Sequence, residues 1–547
     1  MRIQFQIRSK RLKQPYIKTM PILVLITTSG TGSRLGETTK YINKALVRVG
    51  SKPVISHIID RYPSDTEFVI TIGYCGELVR DYIKIAYQDR SVRFVEVDNY
   101  EGPGSSLLYS LLCAKPLLQK PFVFHACDTI TLDMIPPPTR NWIAGFAGRG
   151  SSEYASFSVL GSKVTQMHNK GDTESDFLHV GLIGISTYQE FWAAADTAFS
   201  ENGADSSLGD VDVLKRLVKV ANIEFIGLKS WYDIGNLRSL EATRKAFNDN
   251  SFHVLDKDEE SIFKLGDSII KFFRDKKTLN NRVARVKYLN KTVPDITGVE
   301  GCFYKYKYVD GELFSNKANR SNIGNLLKWA ESKLWTKVNG YNRNSYKEKC
   351  YAFYNLKTIK RLNDFWAKKS IVDKADTING EVVPPVKEMF DQIDVAGLSA
   401  EDPSGFHGDF ILDNIIKTDA GEYKLIDWRQ DFGGEIAYGD KHYDLAKLSH
   451  SLVLNHGIID QNHFTVDIGD DGNVNVNIHR LQTLVDCEEV LSDYLSEKSI
   501  DVNKIKVLRS IIWLNMSPLH HHPLDLFLYY FGKYSLFRSL KRINNEI

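Results

Sequence analysis

At 547 residues the chain is long enough for two or three domains, each with its own core. Hydrophobic residues make up 43% and charged residues 25%, the composition of a soluble globular protein, which excludes a disordered or membrane-embedded chain. Lysine and arginine outnumber aspartate and glutamate by only 70 to 68, so no global field recruits nucleic acid or anionic lipid, and any affinity for phosphate must be local.

Residues 1–19 carry Arg2, Arg8, Lys10, Arg11, Lys13 and Lys18 with no acidic residue. Met20 stands directly before the first strand, so this arm reads as a disordered extension upstream of an alternative start rather than as a nucleic-acid or lipid arm. No run of about 18 apolar residues is present and the start lacks the apolar core of a signal peptide, so neither membrane insertion nor export is expected. Cys75, Cys113, Cys127, Cys302, Cys350 and Cys487 lie at neither metal-ligand nor redox spacing, which suits a reducing cytoplasm.

Ile22 to Thr27 is β-branched and unalternating, as a buried parallel strand is. The loop Thr28-Ser-Gly-Thr-Gly-Ser-Arg34 follows, in which Gly30 and Gly32 let backbone N–H groups approach phosphate oxygens and Arg34 adds a bidentate donor. Lys44 comes next, then Gly50-Ser-Lys-Pro53 and a predicted helix over Val54 to Ile59. Neither a Walker Gly-Lys-Ser/Thr nor a Gly-x-Gly-x-x-Gly is present, which argues against a P-loop and against a dinucleotide site. Strands at 22–27, 68–73, 92–97 and 121–126, separated by helical stretches, predict a Rossmann-like α/β domain with a doubly wound parallel sheet.

This opening resembles the nucleotidyltransferase family that includes the sugar-1-phosphate and phosphocholine pyrophosphorylases, whose motif is strand, Gly-x-Gly-x-Arg, then lysine. The resemblance continues. Glu101-Gly-Pro-Gly-Ser-Ser-Leu107 falls where the family has a second glycine loop, which implies nucleotide contacts at Gly102, Gly104 and Ser105 beside those at Gly30 and Gly32. Phe122-Val-Phe-His-Ala-Cys-Asp128 ends in the family's metal-binding aspartate, and Ser230-Trp-Tyr-Asp-Ile-Gly-Asn236 supplies the second, Asp233. Asn169-Lys170 stands where the family has Glu-Lys, so Lys170 is implied on the substrate phosphate. Attack of a phosphate on the α-phosphorus of a nucleotide builds negative charge, which Arg34, Lys44 and Mg2+ between Asp128 and Asp233 would stabilise. Thr27-Thr28-Ser29 and Asn169 depart from the family pattern, and both departures bear on substrate preference.

Leu237 to Phe247 reads as a closing helix, and the polar joint Asn248-Asp-Asn-Ser251 sets a boundary between a domain at 20–250 and another at 251–547. Ser261 to Phe273 reads as a hairpin turning at Gly266-Asp267, with Lys271 the candidate phosphate-orienting lysine and Lys264 the alternative. Between Arg274 and Val299 there is no glutamate to pair with it. Phe303 to Phe314 alternates with period two, as a strand joining two lobes would, in preference to a nucleic-acid surface. Between Asn322 and Lys369 the apolar residues recur at helical spacing and are read as core.

From Gly405 to Arg429 the chain reads His407-Gly-Asp409, then Asn414, then a hairpin turning at Asp419-Ala-Gly-Glu422 and closing on Ile426-Asp427-Trp428. Asp-x-x-x-x-Asn followed by a metal-binding aspartate is the kinase catalytic spacing. Residues from about 255 to 547 resemble the aminoglycoside-phosphotransferase and choline-kinase family, which implies an α+β, two-lobed, protein-kinase-like domain using ATP and Mg2+. By that resemblance Asp409 is the base, Asn414 and Asp427 are metal ligands, and Asp444 in Tyr438-Gly-Asp-Lys-His-Tyr-Asp-Leu-Ala446 is structural. Arg429 favours a polar or anionic substrate, with a sugar or polyol preferred to choline, whose quaternary ammonium wants an aromatic cage. His520, His521 and His522 are adjacent, so they point in different directions and do not read as a metal site.

Together these readings predict a cytoplasmic bifunctional enzyme. The kinase half phosphorylates a small hydroxyl compound with ATP, and the transferase half joins that phosphate to a nucleotide from a second NTP (CTP, GTP or UTP), giving an activated precursor for a surface polysaccharide. The alternatives are a choline or amino-alcohol kinase fused to a cytidylyltransferase, and one active half with a non-catalytic regulatory partner. The partners expected are small molecules and nucleotides, not nucleic acid. The sequence sets no oligomeric state.

Overall fold

The computed structural model describes residues 21–148, 152–172, 175–202, 205, 207–248 and 259–543. The basic arm and most of the predicted polar joint lie outside the described residues. The chain divides into two units, Met1–Leu265 and Gly266–Ile547.

In the first unit Leu23–Thr27 (β1) is buried at every position, because it lies between Glu67–Ile72 (β2) and Phe122–Ala126 (β4), parallel to both. Ser91–Glu96 (β3) continues the parallel set beyond β2 and alternates toward solvent, as an edge strand does. The chain therefore steps from β1 to β2 to β3 and then returns to the other side of β1 with β4. That reversal makes the carboxyl ends of β1 and β4 the topological switch point of the sheet. Right-handed crossovers put Leu107–Ala114 (α3) on the face opposite Val54–Ile59 (α1) and Gly76–Ala86 (α2).

Beyond β4 the sheet is mixed, which corrects the expectation of a parallel sheet throughout. The remaining strands are Trp142–Ala147 (β5), Ser156–Leu160 (β6), Lys163–His168 (β7), Phe177–Ile185 (β8) and Glu224–Leu228 (β9), and the order is β3-β2-β1-β4-β8-β5-β9-β7-β6. β8 runs antiparallel to β4 and β5, while β6 and β7 form a hairpin through Gly161 and Ser162. A link of that length cannot make a parallel crossover. Phe124, Ile143, Phe157, Ile183 and Trp192 form part of the core beneath these strands, and the later helices of the unit are Tyr188–Asn202 (α4), Asp210–Val220 (α5) and Leu237–Ala246 (α6). The short ladder of Thr129–Ile130 with Tyr232–Asp233 stands beside the end of β4. The strand Glu260–Leu265 belongs to this unit: Lys264 N donates to Ser51 O at 2.7 Å and Phe263 packs edge-on against Tyr82.

In the second unit Ser268–Phe273 (β10), Phe303–Lys307 (β12) and Ile296–Glu300 (β11) form an antiparallel sheet with β12 in the middle. Lys276–Arg285 (α7) follows β10, capped by Asp275, whose carboxylate accepts from Lys277 N and Thr278 N. The strand predicted over 303–314 is interrupted after Lys307 and resumes at Glu312–Leu313 against Ile415–Lys417 (β13). Gly311 permits the break: it takes φ 146°, and a Cβ there would stand 2.5 Å from Lys417 O. Tyr423–Leu425 (β14) completes the predicted hairpin with β13.

The helical stretch consists of Arg320–Lys333 (α8), Arg343–Tyr351 (α9) and Lys357–Lys369 (α10), the last two joined by a π turn over Ala352–Leu356. Lys441–Val453 (α11) has only its first two residues outside the core, and Val502–Met516 buries Ile505, Leu508, Ile511 and Trp513.

Candidate active sites

The loop after β1 is fixed from beneath. Asn43 is fully buried: its amide donates to Thr28 O at 2.8 Å and Tyr74 O at 2.6 Å, and its oxygen accepts from Ala45 N at 2.9 Å. One side chain thus ties the loops after β1 and β2 to the turn that carries Lys44. Ser29 Oγ meets Ser110 Oγ of α3 at 2.8 Å, adding the second face of the sheet. Gly32 sits at φ 66°, and a Cβ there would stand 3.2 Å from Lys44 Cβ and from Thr39 Cγ2, so the loop needs glycine at that point. In the second glycine loop Gly102 and Gly104 take φ 84° and 80°, and Ser105 Oγ closes the turn on Gly102 O at 2.7 Å.

Lys44 Nζ lies 2.7 Å from Asp128 Oδ2, at the carboxyl end of β4. Burial would raise the Asp128 carboxyl, but the Lys44 ammonium, its hydrogen bond and the nearby Arg34 outweigh it and hold the group below the usual carboxylate range. Arg34 itself is exposed on the loop. Asp233 pairs opposite Thr129 in the short ladder, and Ile234 N donates to Asp128 O at 3.1 Å, so the two aspartates come from adjacent positions. Tyr154 donates to Asp233 Oδ2 at 3.0 Å, and burial, then Asp233 and further off Asp128, hold its proton on. Lys170 is exposed on the turn after β7 and is ion-paired with neither aspartate.

Among the described residues no group of three or more His, Cys, Asp or Glu side chains has metal-site spacing. A hard divalent cation takes one or two carboxylates and completes its octahedron with water and phosphate oxygens, and the paired oxygen donors of Asp128 and Asp233 fit that requirement. Asn43 and Tyr154 are absent from the sequence reading. Asn43 could have been found as an N-cap, since Asn before a short helical turn is a start signal; Tyr154 carried no signal at all.

In the second unit Asp409 Oδ1 lies 2.7 Å from Lys447 Nζ of α11, and Asn414 Nδ2 donates to Asp409 O at 2.9 Å and Oδ2 at 3.1 Å. Burial opposes ionisation, yet Lys447 holds the Asp409 carboxyl down at about 2. Asp427 takes φ 57°, and Ile426 N donates to Asn414 O at 2.9 Å, which keeps the two candidate ligands side by side. The amide of Asn414 and the carboxylate of Asp427 are the oxygen donors a magnesium ion would use there. Asp444 is fully buried and braces the loop, accepting from His407 N and Gly408 N at 2.7 Å and from Trp335 Nε1 at 3.1 Å.

Lys271 Nζ lies 2.8 Å from Asp427 Oδ1, whereas Lys264 belongs to the first unit. The helix after β10 brings Arg282 to the same carboxylate oxygen. In place of the glutamate absent between 274 and 299, Asp427, 156 residues downstream, pairs with the lysine. Arg429 N donates to His407 O at 3.1 Å, and its side chain lies against Gly408, where a Cβ would stand 2.6 Å from Arg429 Cβ.

Residues 24–136 match the family model of the MobA-like NTP transferase domain. A bifunctional protein GlmU from Methanococcus maripaludis is 25% identical over 223 residues, 39% of this chain and 51% of that protein. A probable glucose-1-phosphate cytidylyltransferase from Bacillus subtilis is 38% identical over 60 residues, 11% of this chain and 24% of that protein. The chain thus spans about half the length, or less, of these relatives. The solved CTP:phosphocholine cytidylyltransferase of Streptococcus pneumoniae aligns at 20% identity and a TM-score of 0.36, covering 42% of this chain and 100% of that one. The matched stretch contains β1 from Val24 onward, both glycine loops, Lys44 and Asp128, and the first unit of the chain carries an NTP transferase domain of the MobA-like kind.

Proposed function

We propose that the chain is a bifunctional enzyme whose first unit transfers a nucleotidyl group to a phosphorylated small molecule and whose second unit makes that phosphate ester with ATP. The observation that carries the first half is the meeting of Lys44, Arg34 and the Asp128–Asp233 pair at the switch point of the sheet, next to two glycine loops. In the transfer an oxygen of the substrate phosphate bonds to the α-phosphorus, the α–β bridge breaks and pyrophosphate leaves. Lys44 and Arg34 hold the phosphate oxygens on which charge builds. The glycine loops supply N–H groups without side chains in the way. Magnesium bound at Asp128 and Asp233 would supply Lewis-acid stabilisation of the same charge.

The second half is supported by Asp409, Asn414, Asp427 and Lys271 gathering at one place. A carboxyl held at about 2 is a weak base, so Asp409 acts chiefly by accepting the hydrogen bond of the attacking hydroxyl and aiming its oxygen, which bonds to the γ-phosphorus as the β–γ bridge breaks, ADP leaves and the hydroxyl proton passes to a phosphate oxygen. Lys271 orients phosphate oxygens. The product of this unit is the substrate of the first, and an activated small molecule of that kind serves as a precursor for a surface polysaccharide.

Incubating the chain with each NTP and a panel of sugars, polyols and amino-alcohols, with mass-spectrometric detection, tests the reading. Asp409→Asn is expected to abolish phosphorylation while sparing nucleotidyl transfer to pre-phosphorylated compounds, and Asp128→Asn to do the reverse. Loss of both activities in either folded variant contradicts two separate sites.

A further inference from the structure

Among the described residues, three basic side chains beside the Asp409 loop have no acidic partner at ion-pair distance: Arg429 lies against Gly408, Lys357 is repelled by Arg429 and by Lys447, and Arg361 is repelled by Arg429. Lys357 Nζ sits 4.2 Å from the centre of the Phe353 ring and Arg429 Cζ sits 4.9 Å from the same centre, so both positive groups lie on one aromatic ring. Phe353 belongs to the π turn that joins α9 to α10, a backbone form that recurs at functional sites. Arg361 follows Lys357 by one turn on α10 and is held by neutral acceptors only, Asn515 O at 3.3 Å and Asn515 Oδ1. Arg429 Nε is buried with no hydrogen-bond partner. A fourth cation, Lys447, is already paired with Asp409. Asp431 offsets part of the repulsion on Lys357 without forming an ion pair with it.

We propose that Lys357, Arg361 and Arg429 form an anion subsite beside Asp409, so that the hydroxyl compound phosphorylated in the second unit carries a carboxylate or a phosphate. This rests on the kinase reading of that unit and narrows its substrate from a neutral sugar or polyol to an anionic one. Burial, and after it Arg429 and Arg361, push the Lys357 ammonium down to about 5, so a bound oxyanion would restore its proton. Burial and Arg429 likewise lower Arg361. An arriving oxyanion relieves that repulsion and gives the buried Arg429 Nε an acceptor. A quaternary ammonium would meet the guanidinium charges of Arg361 and Arg429 and could not restore the Lys357 proton, which argues against a choline-type substrate.

The test compares glycerate and glycerol phosphate with glycerol and choline as phosphoryl acceptors from ATP and magnesium, using the full chain. The expected result is a preference of about tenfold or more for one of the anionic acceptors, and Lys357→Met or Arg361→Gln raising its KM by about tenfold. The preferred acceptor, glycerate or glycerol phosphate, identifies the anion. Inorganic sulfate is also expected to raise the melting temperature of the wild-type chain by more than that of the Lys357→Met, Arg361→Gln double variant. Equal or better turnover of glycerol or choline overturns the proposal, and so does a sulfate shift unchanged in the double variant. If no acceptor is phosphorylated, the kinase reading falls, and the sulfate comparison alone decides the anion subsite.

Discussion

Replacing Asn43 with Ala removes the one side chain that joins three loops beneath the first site. Three hydrogen bonds of 2.6–2.9 Å are lost, and Ala45 N and Thr28 O, both on buried residues, are left without that partner. With about 1 kcal/mol for the bond to Tyr74 O and about 1–3 kcal/mol for each of the two buried groups left unpaired, the cost is about 3–7 kcal/mol. The turn carrying Lys44 loses its cap, so the ammonium moves off the phosphate position and nucleotidyl transfer is expected to fall by about 10²-fold. Asn43→Asp separates capping from stapling: it still accepts from Ala45 N but turns a carboxylate oxygen toward two carbonyls, and is expected to be no more stable than the alanine variant. Denaturant unfolding followed by a pyrophosphate-release assay measures both effects. An Asn43→Ala protein within about 0.5 kcal/mol of wild type, with unchanged pyrophosphate release, would refute the reasoning.

Gly32→Ala is expected to cost about 1–2 kcal/mol through its φ of 66° and the contact with Lys44, whereas Gly30→Ala, with open space around its Cβ, is expected to leave the unfolding midpoint unchanged. Asp444→Asn turns an amide N–H toward a backbone N–H and is expected to destabilise the second unit by about 2–4 kcal/mol, read as a lower denaturant midpoint together with loss of phosphorylation. His125 is buried and His57 half-buried, and the loss of hydration lowers each to about 4 from an ordinary 6.5. The folded first unit therefore binds fewer protons than the unfolded chain between those values, and its stability is full above 6.5 and falls as pH drops toward 4. At pH 5 each histidine contributes a loss of about 2 kcal/mol relative to pH 8, and unfolding curves at the two pH values check it.

What the sequence by itself determined is local chemistry. Leu23–Thr27 is legible as a buried parallel strand because it must be apolar on both faces, and the glycine loops are legible because close backbone approach tolerates few other residues. The hairpin that ends in Asp427 follows from a turn between two short apolar runs. The tertiary structure decided what depends on distant residues meeting. Whether β8 runs parallel or antiparallel to β4 is set by which strands pair, and both directions present the same buried pattern. Asn43 acts through carbonyls of two other loops, and a carbonyl has no signature in sequence. Lys271 found its acid in Asp427 and not on the next helix, where Arg282 stands instead. Lys357, Arg361 and Arg429 look like ordinary surface cations along the chain, and only the fold brings two of them onto one aromatic ring and the third a helical turn away, because charge acts through space and not along the backbone.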